Sequence, residues 1–206
     1  MFDDRLDAAR QLAGRLGHLK PPRPLVLAIP RGAVPMARLI ADTLQADLDV
    51  VLVRKLGAPG EPEVAVGAVD ESGWVWVAPH AAAFGADPDY LAAETARQSG
   101  RIRDRRRRYS PIHPPLSVRD RTVIVVDDGL ATGATMTAAL HCLRQQQPAR
   151  LVCAVPVASP EALALVRPLA DEVVCLLVPD RFQAVGQFYR DFPQVSDDEV
   201  ETLLRD

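Results

Sequence analysis

Cysteine is scarce in this 206-residue chain: Cys142, Cys153 and Cys175 are odd in number, and none falls in a CxxC pair. That argues against a disulfide framework or a zinc site and for buried free thiols. His18, His80, His113 and His141 are equally scattered, which weighs against a histidine metal centre. Long apolar runs are missing too. None approaches the roughly 18 residues that span a bilayer, and the opening MFDDRLDAAR is charged and amphipathic, unlike a signal peptide. The expectation is a soluble, cytoplasmic protein with no membrane partner. Nor is there an excess of positive charge: a net −3 argues against a protein that coats nucleic acid. With 48% hydrophobic and 25% charged residues, the composition excludes disorder and suits one domain with a real core.

Several nucleotide and hydrolase motifs are absent as well. There is no GxxxxGK[ST], no GxGxxG and no GxSxG. The basic run RIRDRRRRY (101 to 109) places Arg97, Arg101, Arg105 and Arg108 on one helical face, but Glu94 and Asp104 dilute it. It reads as a solvated or interface helix able to draw an anionic ligand towards a site, with no nucleic-acid partner.

What is present alternates between strand and helix. Phe2, Leu6, Ala9, Ala13 and Leu16 recur at helical spacing, and Gly17, Pro21 and Pro22 stop that helix. PLVLAI (24 to 29) is a buried strand, followed by a helix with an inner face of Met36, Leu39, Ile40 and Leu44; LDVVLV (48 to 53) is the next strand. EVAVGAV (63 to 69) and WVWVA (74 to 78) alternate across Asp70 to Gly73 as a β-hairpin that extends from the sheet. Beyond Pro79 lies a less regular, inserted stretch with a helix over 88 to 108 and a proline-rich linker over 110 to 116. The strand 123 to 126, a helix with Met136, Leu140 and Leu143 on one stripe, a strand over 150 to 157, a helix over 160 to 170 opened by Ser159 and a strand over 172 to 178 complete the pattern. Such alternation predicts a parallel sheet covered on both faces.

Within it, VIVVDDGLATGAT (123 to 135) carries the chemistry. Asp127 and Asp128 stand at a strand's carboxyl end, where open α/β sheets bind ligands. Gly129 and Gly133 permit backbone conformations closed to other residues, Thr132 and Thr135 bring hydroxyls, and the next helix's first amides face the loop. That is a cradle for a phosphate monoester. Two carboxylates beside it fit if the ligand is a sugar phosphate, whose vicinal hydroxyls they accept hydrogen bonds from.

The same stretch resembles the phosphoribosyl pyrophosphate motif of the type I phosphoribosyltransferases: hydrophobic residues, two acids, then a small loop with a Thr-Gly-x-Thr core. The resemblance runs from about Leu25 to Val178 and implies an α/β fold with a Rossmann-like central, mainly parallel sheet flanked by helices, a β-hairpin flap and a small hood. It implies one domain over 1 to 206: core about 25 to 178, hood from 1 to 22 and 179 to 206, flap about 57 to 117. Asp127, Asp128, Arg31 and Lys55 would then be catalytic, and Gly129, Ala131, Thr132, Gly133, Ala134 and Thr135 would hold the 5′-phosphate. Arg31, Gly32, Ala33, Arg54 and Lys55 would face the diphosphate. Phe182, Phe188 and Tyr189 of the tail either stack on a planar acceptor base or cover the sheet edge as core. Magnesium would arrive on the ligand's own oxygens, not caged by protein. The implied partners are phosphoribosyl pyrophosphate and a small-molecule acceptor, with a homodimer plausible by similarity. A regulator or sensor that holds the same ligand without transferring it is the alternative.

Overall fold

The computed structural model describes residues 1–20, 23–109 and 115–205. The expected prolines at 21 and 22, and residues 110–114 of the proline-rich linker, lie outside the described residues.

The central strand shows why this sequence makes a parallel sheet. β6 (Thr122–Val126) lies between β1 (Leu25–Ala28) and β7 (Arg150–Val157), with β2 (Asp47–Val50) beyond β1 and β8 (Glu172–Leu177) beyond β7, all pairs parallel. Ile124 and Val126 face a core shared with α1 (Arg5–Leu16) and α2 (Val34–Leu44). Val123 and Val125 face another, shared with α4 (Ala134–Gln145) and α5 (Pro160–Val166). A strand covered on both sides has no solvent face to mark with polar residues, so it reads as an unbroken β-branched run. Each such side chain contributes about 1.5–3 kcal/mol relative to exposure.

The flap differs from the expectation. The strand expected over 48 to 53 ends at Val50: the Val51 amide still donates to Ala28 O, but Val53 opens a second sheet. That sheet is antiparallel and three-stranded, β3 (Val53–Ala58), β4 (Glu61–Asp70) and β5 (Val75–Val77), so the expected hairpin is its second half. Apolar continuity across 50 to 53 concealed the change of partner. One face of the flap packs on α3 (Pro88–Tyr109) and the other on α4, with Leu56, Val66 and Ile102 buried on the α3 side.

The stripes of α1 and α2 also shift. Leu6 is exposed and Leu39 only half-buried, while Leu12 and Ala37 are fully buried. Arg5 occupies a buried place on the α1 stripe. The helix expected over 160 to 170 stops at Val166 and tightens into a 3₁₀ turn over Arg167–Leu169, because Pro168 has no amide N–H to continue the helical ladder. A further helix, α6 (Asp197–Arg205), packs on α2 and α3; its charged first turn masked it in the sequence. The ends of the chain meet where Phe2 bridges Tyr189. No helix of the described residues is long and apolar enough to cross a membrane. Cys142 and Cys153 are buried free thiols pushed up by burial, and Cys175 is free and half-buried.

Candidate active site

β6 ends at Val126, and the next two side chains stand at the mouth of a cleft of about 580 Å³. Its lining includes Asp127, Asp128, Gly32, Arg54, Lys55 and Thr135, so residues far apart in sequence converge on one space. Burial, and then the charge of Asp128, push the Asp127 carboxyl well above the usual carboxylate range. Asp127 Oδ1 accepts from the Asp128 amide at 2.9 Å. Burial also raises Asp128, but Arg5 opposes it: Nη2 and Nε both donate to Asp128 Oδ2, at 2.8 and 3.1 Å.

Arg5 was not foreseen from sequence. Its signal was a charged residue in phase with the apolar stripe of α1. The guanidinium also donates to Pro193 O at 2.6 Å and lies 3.7 Å over the Phe192 ring, so it ties the two ends of the chain to the acidic pair. Gly32 approaches the same carboxylate so closely that a Cβ there would stand 2.1 Å from Asp128 Oδ2. A Cβ at 32 would push the Asp128 carboxylate away from its contacts with Arg5.

The loop after the acids is pinned at its start, over Leu130 and Ala131. The Leu130 amide donates to Val157 O, the Ser159 amide to Leu130 O, and Ser159 Oγ to Ala131 O at 2.8 Å. The same Ser159 oxygen accepts from the Ala162 amide as the cap of α5. Ala131 and Thr132 remain exposed, as does Thr135. Of the two glycines, only Gly133 has a positive φ, +73°, and a Cβ on it would meet Ala162 at 3.1 Å; at Gly129 the constraint is Val185, 2.6 Å from a Cβ. Ser159→Ala is expected to lower stability by about 1 kcal/mol through the lost cap, as read by melting.

Other expected residues are placed differently. The Pro30-Arg31 peptide is cis, and the Arg31 side chain pairs with Asp197 of α6 at 3.4 Å; Arg31 is not among the residues lining the cleft, although Pro30 and Gly32 are. Arg54 and Lys55 line it from β3 of the flap, not from the end of a core strand. Tyr189 is buried against Phe2 and Phe192 and donates to Asp128 O at 2.7 Å, which makes it part of the hood's packing. Phe182 and Phe188 lie against each other, 5.1 Å between centroids. The basic helix is not simply solvated: Arg97, Arg101 and Arg105 line the cleft, whereas Arg108 pairs with Asp197, Asp198 and Glu201 of α6.

The comparisons agree with this architecture. The phosphoribosyl transferase domain family matches residues 5–193. Two proteins from strains of Mycobacterium tuberculosis, named provisionally as phosphoribosyl transferases, are 44% identical over 206 residues, 99% of this chain. The chain spans about half the length of these curated relatives, 46%. The crystal structure of TT1426 from Thermus thermophilus superposes with a TM-score of 0.91 at 48% identity, covering 99% of this chain and 97% of that one. A hypothetical protein from Neisseria gonorrhoeae, crystallised with ppGpp, shares the fold at 16% identity and a TM-score of 0.53, over 99% and 97% of the two chains. A family match over nearly all of the chain, on a sheet whose acidic strand end opens into the cleft, means that this chain belongs to the phosphoribosyl transferase domain family.

Proposed function

We propose that this chain transfers a 5-phosphoribosyl group from phosphoribosyl pyrophosphate to an acceptor nitrogen and releases diphosphate. The observation that carries the reading is the meeting, in one cleft, of a half-buried acidic pair, Thr135 of the loop that follows it and the cations of β3 and α3. Asp127 and Asp128 accept hydrogen bonds from the ribose hydroxyls, and their charge favours the cationic sugar of the transition state. Thr132, Thr135 and the loop amides orient the 5′-phosphate. The C1–O bond breaks with its electron pair on the diphosphate, the acceptor nitrogen's lone pair forms the new bond at C1, and the nitrogen's proton passes to solvent.

Among the described residues, no group of three or more His, Cys, Asp and Glu is placed to hold a metal ion. Asp127 and Asp128 are the oxygen donors at the cleft that magnesium arriving with the ligand would meet, and it would lower the charge of the leaving group.

One observation favours a second reading, a regulator that binds the ligand without turnover: none of Phe182, Phe188 and Tyr189 lines the cleft, so none of the three offers an acceptor platform there. Phosphorus NMR of phosphoribosyl pyrophosphate with magnesium and a panel of purines, pyrimidines and small amines separates the two. Acceptor-dependent diphosphate release is expected, lost in the Asp127→Asn, Asp128→Asn double variant while that protein still melts cooperatively. Binding without release across the panel supports the regulator, and absence of binding overturns both.

A further inference from the structure

The cleft has two walls of different origin. Pro30, Gly32, Asp127, Asp128 and Thr135 belong to the parallel sheet and its loops, whereas Arg54, Gly57, Arg101 and Arg105 belong to the flap and α3, which are inserted between β2 and β6. The width of the cleft is therefore set by the contacts that hold the insert to the core. Beyond the flap, the element that α3 packs on is α6, with Arg106 reaching Asp49 of β2 at 3.3 Å.

One carboxylate stands where the walls meet. Asp197 Oδ2 lies 3.4 Å from Arg31 Nη1, in the loop whose Pro30 and Gly32 line the cleft, and 3.3 Å from Arg108 Nη1, in the last turn of α3. Its other oxygen, Oδ1, accepts from the Tyr109 hydroxyl at 3.1 Å. Tyr109 is almost fully buried, and burial first, then the charge of Asp197, push its hydroxyl up to about 12, so it stays a donor. The neighbouring acids of α6 differ: Asp198 and Glu201 pair with Arg108 and so reach the α3 wall alone among the described residues.

Asp197 is itself fixed to the core. Val200 and Leu204 of α6 are buried in the core shared with α1 and α2. The first turn of α6 is held by a reciprocal cap, the Glu199 amide donating to Ser196 Oγ at 3.2 Å and the Ser196 amide to Glu199 Oε2 at 2.8 Å. Each ion pair is part-exposed and contributes modestly alone. Their effect comes from sharing one acceptor: the walls cannot part without breaking one set of its bonds.

We infer that Asp197 is a clasp that fixes α3 against the loop after β1 and so sets how far the cleft opens, making α6 a control on entry to the site. The inference rests on the proposed function only for the identity of what enters, since the clasp is a property of the empty protein.

Native-state hydrogen exchange tests the clasp without ligand. In Asp197→Ala, the Val34 amide, which donates to Arg31 O, and the amides of the last turn of α3 are expected to quicken at least tenfold more than those of Ile124 and Val152, which report the whole fold. Asp198→Ala removes the same charge one position along and is expected to quicken the α3 turn only. Asp197→Asn keeps an oxygen for Tyr109 and is expected to fall between. Acceleration on one wall alone in Asp197→Ala, acceleration no greater than that of Ile124 and Val152, or an equal effect on Val34 in Asp198→Ala overturns the clasp. Phosphoribosyl pyrophosphate is expected to dissociate at least tenfold faster from Asp197→Ala than from the wild-type protein, and an unchanged dissociation rate overturns the control on entry. Failure of that ligand to bind the wild-type protein overturns the proposed function instead, and the exchange result still decides the clasp.

Discussion

Asp127→Asn is expected to make the protein more stable and inactive. The carboxyl is held well above its usual range by burial and then by Asp128. The folded state therefore binds its proton more tightly than the unfolded chain, whose aspartates titrate near about 3.9. Between the two values the folded protein carries more protons than the unfolded one, so stability falls as pH rises through that window. Below it both states are protonated and the penalty is absent. Asparagine keeps an Oδ1 for the Asp128 amide and removes the charge, so the gain is on the order of 1–3 kcal/mol at neutral pH. That corresponds to roughly 2–12 °C in melting temperature for a domain of this size. Melting curves of the two proteins should converge as pH falls to about 3.5, just below the unfolded aspartate value, and separate above it. A constant difference across pH, or a variant less stable at neutral pH, would refute the account. Turnover should disappear in the same variant, because the group that destabilises the empty cleft is the one that favours a cationic sugar.

Arg5→Ala should act in the opposite direction. The side chain is buried, and its partner oxygen on Asp128 is the one a Cβ at Gly32 would strike. Removing one member of a buried ion pair costs about 3–5 kcal/mol; Asp128 retains some exposure, so about 3 kcal/mol is expected, a fall of roughly 6–12 °C. The lost contacts to Pro193 O and Phe192 add to it by loosening the join between the chain's ends. In an Asp128→Asn background the loss should shrink by at least about 1 kcal/mol, since the charge that Arg5 compensates is gone. Arg5 lowers the Asp128 carboxyl, so its removal raises that group further and moves the acidic limb of any activity profile to higher pH. Arg5→Lys retains charge but not the two-pronged contact and should fall between. An unchanged melting temperature in Arg5→Ala would mean that the pair is ornamental.

The core strands, the acidic strand end and the loop 129–135 were legible because each is a local event. Val123 to Val126 can bury only as a covered strand, and Ser159 and Pro160 open a helix by short-range hydrogen bonding and fixed φ. Arg5, the α3 arginines and α6 were not. Arg5 is 123 residues from its partner, and nothing in MFDDRLDAAR names Asp128. The basic run 101–109 has one composition but two environments, because the helix turns Arg101 and Arg105 to the cleft and Arg108 to the acids of α6. Likewise 50 to 53 is one apolar run that changes partner after Val51, a matter of which backbone lies alongside.

By itself, then, the sequence determined the parallel sheet and the place of its acidic strand end, since periodicity and backbone geometry act over a few residues. Only the tertiary structure decided which cations face that end, that Arg31 turns away to Asp197 and that Tyr189 is spent on packing. Charges act through space, and the distances between them are set by how separate elements dock, which no short stretch of sequence records.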